Sequence, residues 1–571
     1  MVKPIGDVPV MPPIQRPASL SDVGQILAQL VRMKSVIVLL LLMVAGMVLW
    51  GHSQLAPIDR DEARFAQASS QMLASGDFIT IKFQDEYRAK KPAGIYWLQT
   101  VSAALFGEDD IASYRLPSLA GFLASLCLIY LIARQMNLTA WGGAGPLMAA
   151  LLLASSFIVY AEAHLAKTDA FLLALILWQQ WALFDIYRRR FEGQAGAAIT
   201  QFWIAMGLTI LVKGPIGPLV AFSTIMGLSL FDRSLVLWRH IRLWRGLLIT
   251  AIIVAPWAIS VQIATNGAFL DIAIKADFLA KVQSGQESHG APFGTYLLIL
   301  GLISFPASLF FSQLALFDTA TWRYDKVRFL VAWAAGYWVL IEATPTKLPH
   351  YILPALPALF LLVLVAFLHA AAESKPRRIA RLIIAAIAGV SGLLLSGFLV
   401  YGALRFGSGN AFFLSLLGVL ITGGCLVLWW HWYKAPQSGV MMLTLMGGVL
   451  LHMVVISGII SASHQLHVST ALQKEVMKIA ATPPVIGAAG YHEPSMVFLL
   501  GKDTLLITEQ EAALLLAEAP QSLVIIEGRK KQAFSDTIQK LGISVTEVGR
   551  VTGFNISRGQ DVTLLLYQRR P

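Results

Sequence analysis

The sequence predicts a polytopic α-helical membrane protein with interfacial helices in its first outer loop and a small C-terminal α/β domain. Three observations predict it. The 571 residues are 56% hydrophobic and only 13% charged, with a mean hydropathy of +0.66, a composition typical of chains that cross a bilayer repeatedly. Apolar runs near the ~20 residues needed to cross a hydrocarbon core recur from Val36 to Ile460. After Ser463 the pattern changes to short strand-like runs separated by helical ones.

Residues 1–35 are polar and Pro-containing, with no small-residue cleavage site after the first apolar run, so they read as a cytoplasmic tail before an uncleaved anchor. A transmembrane unit over 36–462 follows. It holds about thirteen apolar runs, at 36–52, 117–133, 143–160, 169–187, 199–212, 215–231, 246–263, 295–317, 327–343, 351–370, 382–402, 410–433 and 440–462. The fifth is short and is joined to the sixth only by Lys213-Gly214-Pro215. Lys and Arg in short loops set orientation. With the N-terminus inside, sixteen of them (Arg134 to Lys434) fall on cytoplasmic connections, against Lys167, Lys213, Lys347 and Arg405 on short outer ones. An odd number of spans then places residues 463–571 outside, as a periplasmic domain. Two long outer loops, 53–116 and 264–294, escape the charge rule because long loops translocate regardless of charge.

The net charge of +11 is assigned to inner-face anchoring on anionic lipid, and no base-stacking pattern suggests nucleic acid. Cys127 and Cys425 both fall in apolar runs, so the sequence supports neither a disulfide framework nor a Cys-based metal site.

The first outer loop is densely charged from Asp59 to Trp97. It holds Asp59, Asp61, Glu62, Asp77, Asp85 and Glu86 beside Arg60, Arg64, Lys82, Arg88, Lys90 and Lys91. Phe65, Ala66, Ser69, Met72 and Leu73 recur at helical spacing, predicting a helix over 61–74. Ala93 to Phe106, after Lys91-Pro92, reads as a second helix carrying Tyr96 and Trp97 at headgroup depth. In the tail, strands are expected at 485–491, 504–508, 523–527 and 562–567, and helices at 509–518 and 530–541. That is a domain of ~100 residues without a phosphate loop, a triad or metal spacing, expected to act as a structural or acceptor-binding cap. Asn555-Ile556-Ser557 matches a sequon by chance frequency alone.

Ionisable residues at membrane depth are costly and usually functional. Here they gather at the outer ends of the spans: Glu162, His164, Lys167, Asp169, Lys213, Glu342, Lys347, His350 and Tyr351, with His289 ending the second long loop. With the first loop they would line one outward cavity. Such a cavity suits a polyprenyl-phosphate sugar: its phosphate needs cations and hydroxyl donors, its acceptor hydroxyl a carboxylate base. Charge developing on the departing phosphate calls for fixed Lys and Arg. Plainer readings stand beside these. Lys167 and Arg115 could snorkel, and Lys213-Gly-Pro and Lys347-Leu-Pro could be turn punctuation. His164 and His350 could only make buried hydrogen bonds, and Asp61 and Glu62 could cap the helix they open.

An ordered set of motifs carries a family resemblance. It comprises Asp61-Glu62-Ala63-Arg64-Phe65-Ala66, Met72-Leu73-Ala74-Ser75-Gly76-Asp77-Phe78 and Lys91-Pro92-Ala93-Gly94-Ile95-Tyr96-Trp97-Leu98. Lys167-Thr168-Asp169-Ala170, Leu211-Val212-Lys213-Gly214-Pro215 and Ala255-Pro256-Trp257 follow, then His289-Gly290-Ala291-Pro292 and Lys347-Leu348-Pro349-His350-Tyr351-Ile352-Leu353-Pro354. In this order the chain resembles the bacterial GT-C glycosyltransferases: the 4-amino-4-deoxy-L-arabinose lipid A transferases and the wider protein-mannosyltransferase-like group. The resemblance implies a GT-C fold of about thirteen transmembrane helices, working as a monomer in the bacterial inner membrane. It implies transfer of a sugar from undecaprenyl phosphate to lipid A or a related envelope glycolipid on the periplasmic face, by direct displacement with inversion. Protein O-glycosylation from the same donor class is the alternative.

By motif position, Asp61 is the expected catalytic carboxylate and Asp169 the second, with Glu62 adjoining. Lys91, Arg64, Lys347, Tyr351 and Lys90 would hold the donor phosphate, and His289, Lys213, His350, Lys167 and Arg88 would complete the cavity. No cofactor is expected. The family often has an acid before the Lys-Pro pair that helps bind a divalent metal near an outer-loop histidine, here His289. Lys90 occupies that position, which argues against the metal and for a negatively charged donor or acceptor. A polyprenyl-lipid flippase is the rival from another class; the absence of an internal repeat and the one-sided charge disfavour it.

Overall fold

The computed structural model describes residues 34–139, 143–192, 196–273, 290–479 and 485–570. The protein is a bundle of long apolar helices with a five-stranded domain packed against one end. Among the described residues, eight helices are long and apolar enough to cross a membrane: Ile111–Gln135, Asp169–Arg188, Gly196–Lys213, Leu243–Ala264, Pro349–Leu368, Lys375–Phe406, Ala411–Lys434 and Ser438–Ile460. Four more apolar helices are shorter, at Val38–Gln54, Gly145–Ala154, Ile216–Asp232 and Ala307–Leu316. Some shortness comes from breaks inside apolar runs. The run from 143 divides at Ser155-Ser156 into helices Gly145–Ala154 and Phe157–Ala163. The run from 295 divides before Pro306, which has no amide hydrogen to donate, into Thr295–Ile303 and a 3-10 segment Ala307–Leu316. The two breaks meet, since Ser156 and Pro306 form an isolated bridge.

Small residues permit close crossings, as in membrane bundles generally. A side chain at Gly121, on Ile111–Gln135, would collide with the backbone of Phe171 on Asp169–Arg188. At the end of the bundle remote from the sheet domain, Arg190 bonds Asp325 (2.7 and 3.0 Å), Arg328 pairs with Asp232 (2.8 Å), and Tyr187 donates to Asp232 (2.9 Å). This ion network ties three helices together.

Between Val38–Gln54 and Ile111–Gln135 lies the charged loop. Its helices Asp61–Ser75 and Gly94–Phe106 flank a two-residue hairpin, β1 (Lys82–Phe83) with β2 (Glu86–Tyr87). Phe65, Ala68, Met72, Ile95 and Tyr96 share a core with Leu211, Trp257 and Val261 of the bundle. Both indoles there donate to the same turn, Trp97 to Phe78 O (2.7 Å) and Trp257 to Ile79 O (3.1 Å). The loop is therefore packed down as a lid over the helix ends.

The C-terminal sheet has the order β4-β3-β5-β7-β6, with β3 (Ile486–Ala489), β4 (Leu505–Ile507), β5 (Leu523–Glu527), β6 (Val545–Asn555) and β7 (Gln560–Arg569). β3 pairs in parallel with β4 and β5, whereas β7 runs antiparallel to both β5 and β6. Every residue of β5 is buried because both faces are covered. Leu523 and Ile525 pack on helix Val468–Ile479, and Val524 and Ile526 on helices Glu509–Glu518 and Lys531–Leu541.

Candidate active site

The charged side chains sit at helix ends on the side of the bundle that carries the sheet domain. Asp61 opens helix Asp61–Ser75, Asp169 opens Asp169–Arg188, and Lys213 closes Gly196–Lys213. Each sign matches the helix dipole, carboxylates at N-termini and an ammonium at a C-terminus. His350 and Tyr351 lie on the 3-10 turn Pro349–Ala355.

Asp61 is exposed, and no hydrogen bond or ion pair reaches its carboxylate among the described residues. Its crowded surroundings oppose ionisation, but the charges of Lys167 and Arg88, with Arg64 adding less, prevail and hold its carboxyl below the usual carboxylate range. Burial alone would lower the Lys167 ammonium; Glu162, Asp169 and Asp61 instead raise it. Arg88 is held rigidly, donating to Tyr96 Oη (3.0 Å) and lying over the Phe65 ring (5.0 Å).

A second group adjoins it. Asp169 is 5% exposed and takes Lys213 Nζ at 2.5 Å, with His350 Nε2 at 4.0 Å. Lys167 Nζ lies 3.1 Å from Glu162 Oε1, and His350 Nδ1 3.9 Å from the same oxygen. Lys213 also stands over the Tyr351 ring at 5.8 Å. Asp169, Lys213, His350, Tyr351 and Tyr337 line one small cavity. Lys213 is thus an ion-pair partner and not turn punctuation, and Lys167 pairs with an acid instead of snorkelling.

Three other residues have their bonding committed. Glu62, expected beside Asp61 as a catalytic carboxylate, is 1% exposed. Its oxygens accept from Arg115 Nε and an Arg115 terminal nitrogen (both 2.8 Å), from the Ile58 amide and from the Ala166 amide (2.8 Å each). Arg115, which could have snorkelled, is 0% exposed and also donates to the carbonyls of His52, Leu55 and Ala56. A carboxylate with four donors has no lone pair left for a substrate, so Glu62 fixes the loop to the bundle. Lys347 donates to the carbonyls of Glu342 and Thr344 (2.7 Å each), and Glu342 in turn accepts from the Gly294 and Tyr296 amides. Lys347 therefore organises its own turn in this state.

Lys90 is exposed, and Lys91 donates to the Lys90 carbonyl (2.8 Å). Arg64 is half-buried one turn into the Asp61–Ser75 helix. His289 lies outside the described residues, as do residues 1–33 and most of the second long loop. Among the described residues no three His, Cys, Asp or Glu side chains converge on a metal position, and Lys90 places a cation where the resemblance would place an acid.

Comparisons with known proteins agree with this architecture. The family described as dolichyl-phosphate-mannose-protein mannosyltransferase matches residues 90–259. An undecaprenyl phosphate-alpha-4-amino-4-deoxy-L-arabinose arabinosyl transferase of Pseudomonas fluorescens is 28% identical over 346 residues, 58% of this chain and 60% of that protein. The Aeromonas hydrophila protein of the same name is 28% identical over 57% of this chain and 59% of its own length. The chain thus spans about three fifths of these curated relatives. The crystal structure of ArnT from Cupriavidus metallidurans bound to undecaprenyl phosphate superimposes with a TM-score of 0.70, at 19% identity, over 93% of this chain and 98% of that one. The fold is that of this ArnT structure. The match to the ArnT structure reaches into the C-terminal sheet domain, because 93% coverage leaves no room for a domain of that size to fall wholly outside it. With its long apolar helices, the chain is a multi-pass membrane protein that is similar in sequence to the arabinosyl transferases and in fold to ArnT.

Proposed function

We propose that this protein transfers a sugar from undecaprenyl phosphate to lipid A or a related envelope glycolipid at the periplasmic face of the bacterial inner membrane. The observation that carries the reading is Asp61, an exposed carboxylate that no hydrogen bond or ion pair reaches among the described residues, ringed by Lys167, Arg88, His350 and Arg64. The relatives named as arabinosyl transferases and the fold shared with an undecaprenyl-phosphate-bound ArnT support the donor class.

The chemistry follows from that ring of charge. A carboxylate held below its usual range is ionised at neutral pH but is a weak base. When the donor phosphate enters, its negative charge offsets the same cations and Asp61 becomes more basic. It then takes the proton of an attacking acceptor hydroxyl as the anomeric carbon is displaced with inversion. Arg64, Lys91 and Lys90, with Tyr351, carry the charge building on the departing lipid phosphate. Lys347 joins them only if it releases its carbonyl partners. Asp169, neutralised by Lys213, orients the floor of the site through His350. The N-terminus is read as cytoplasmic and the sheet domain as periplasmic.

Purified protein is incubated with labelled undecaprenyl-phosphate sugars and, in parallel, with lipid A or an exported-protein peptide. Transfer to lipid A that is lost in Asp61→Asn and Lys91→Ala supports the reading. Transfer to the peptide alone assigns the protein-glycosylating alternative that the mannosyltransferase match keeps open. Movement of the lipid between leaflets without transfer refutes both.

A further inference from the structure

Asp61 occupies the first turn of its helix, which backbone hydrogen bonds close (Arg64 N to Arg60 O, 3.3 Å) without help from a side-chain cap. The preceding residue, Arg60, supplies no side-chain cap. The turn is also gripped from two sides. Beneath it, Glu62 is clamped by Arg115 of the bundle (2.8 Å). Above it, the grip comes from the C-terminal domain, 436 residues further along the chain. Asp59 Oδ1 accepts from the Ser495 amide (2.7 Å) and Oδ2 from the Ser495 hydroxyl (2.6 Å).

Ser495 is itself backed by a chain of hydroxyls. Its Oγ lies 2.6 Å from Ser469 Oγ, which lies 3.0 Å from Tyr491 Oη. An ionised carboxylate can only accept, so the one Ser495 proton goes to Asp59. The Ser469 and Tyr491 protons must then point the same way, and all three hydroxyls are polarised toward Asp59. Ser469, Ser495 and Tyr491 are buried, so water does not compete for these bonds. Arg60 is held by the same domain, with its Nε 3.8 Å from Glu493 Oε2 and a terminal nitrogen bonded to Ser557 O (3.4 Å). Asn555 Nδ2 donates to the other Glu493 oxygen (2.9 Å). Of the three carboxylates from Asp59 to Glu62, Asp61 alone is left to face a substrate among the described residues.

We infer that Ser495 is a positioning residue: through Asp59 it sets the first helical turn from which Asp61 acts, which makes the C-terminal domain part of the catalytic apparatus and not a detachable cap. The inference rests on the role proposed for Asp61. Misplacement of a reacting group by about 1 Å can cost about a hundredfold in rate, and one lost anchor of two is expected to cost part of that.

The test compares the full-length protein with Ser495→Ala, Ser495→Thr and, as a control, Arg405→Ala. Arg405 joins the bundle to the same domain through Asp561 (2.6 and 2.9 Å) without touching the Asp59 turn. Ser495→Ala is expected to lower kcat about tenfold or more, with the donor KM and the unfolding midpoint near those of the parent. Ser495→Thr restores kcat, and Arg405→Ala keeps it. Undiminished kcat in Ser495→Ala, or an equal loss in Arg405→Ala, overturns the inference. If Ser495→Ala does not fold, Asp59→Asn, which keeps the shape and removes the charge, is measured against the same expectations. A parent that transfers no sugar refutes the proposed function instead, so the two failures are distinguishable.

Discussion

Replacing Arg115 by Met should be among the most damaging single changes in this protein. The guanidinium is 0% exposed and its partner Glu62 is 1% exposed. Met keeps the apolar stem and removes every donor. Glu62 is left as a buried charge with two backbone amides, and the carbonyls of His52, Leu55 and Ala56 lose the Arg115 donor. Breaking a buried pair by removing one partner costs about 3–5 kcal/mol, and each buried acceptor left unsatisfied costs about 1–3 kcal/mol. The sum approaches the whole stability of a typical domain, about 5–15 kcal/mol. The assay is the yield of monodisperse protein in detergent with its unfolding midpoint, for Arg115→Met, Glu62→Leu and the double variant. The double variant should recover the part of the loss that comes from the uncompensated charge, though the carbonyls stay without Arg115 and the Ile58 and Ala166 amides lose Glu62. Arg115→Met at parental yield and midpoint would refute the reasoning, and so would single and double variants whose effects simply add.

Two further outcomes follow from the same geometry. Lys213→Ala strands Asp169, 5% exposed, without its partner at 2.5 Å; a loss of about 3–5 kcal/mol is expected, and Lys213→Ala with Asp169→Asn should recover part of it in thermal unfolding. Burial pushes the Asp59 carboxyl up to about 6, with Glu493 adding to the rise and the Ser495 hydrogen bonds and Arg64 opposing it. The folded state then holds more protons than the unfolded one between the ordinary 3.8 and about 6, so this group's contribution to stability falls as pH rises through that window. The midpoint of Asp59→Asn relative to the parent should therefore climb between pH 4 and pH 7; a difference that does not change with pH contradicts the assignment.

The loop helix over 61–74 was legible because Phe65, Ala66, Ser69 and Met72 repeat at helical spacing, and the structure starts it at Asp61 and ends it at Ser75. β3, β4, β5 and β7 were legible as short apolar runs. Strand β6 was not: Gly549, Arg550 and Gly553 interrupt it, its exposure is irregular, and a bulge lies between Glu547 and Gly549. Helix Val468–Ile479 was hidden because its amphipathic pattern follows directly on the last apolar run. Within the site, clustering at helix ends pointed to Asp61, Asp169 and Lys213, since charge is rare and conspicuous in an apolar chain. What the sequence could not supply is pairing across long separations. Glu62 looked as available as its neighbour until Arg115, 53 residues on, was seen to take both its oxygens. Asp59 gave no hint of Ser495, because an ordinary serine in a soluble-looking tail carries no signal. The one cue for Arg115 was its position as a lone cation ahead of a long apolar run.

The central claim, that Asp61 performs the transfer from within a ring of fixed cations, is tested most directly by single-turnover kinetics with an undecaprenyl-phosphate sugar and lipid A. General-base contributions are typically about 10²–10⁴-fold. Asp61→Asn should lose about that much in the rate of the chemical step while binding the donor as tightly as the parent. An Asp61→Asn protein that turns over within tenfold of the parent contradicts the account.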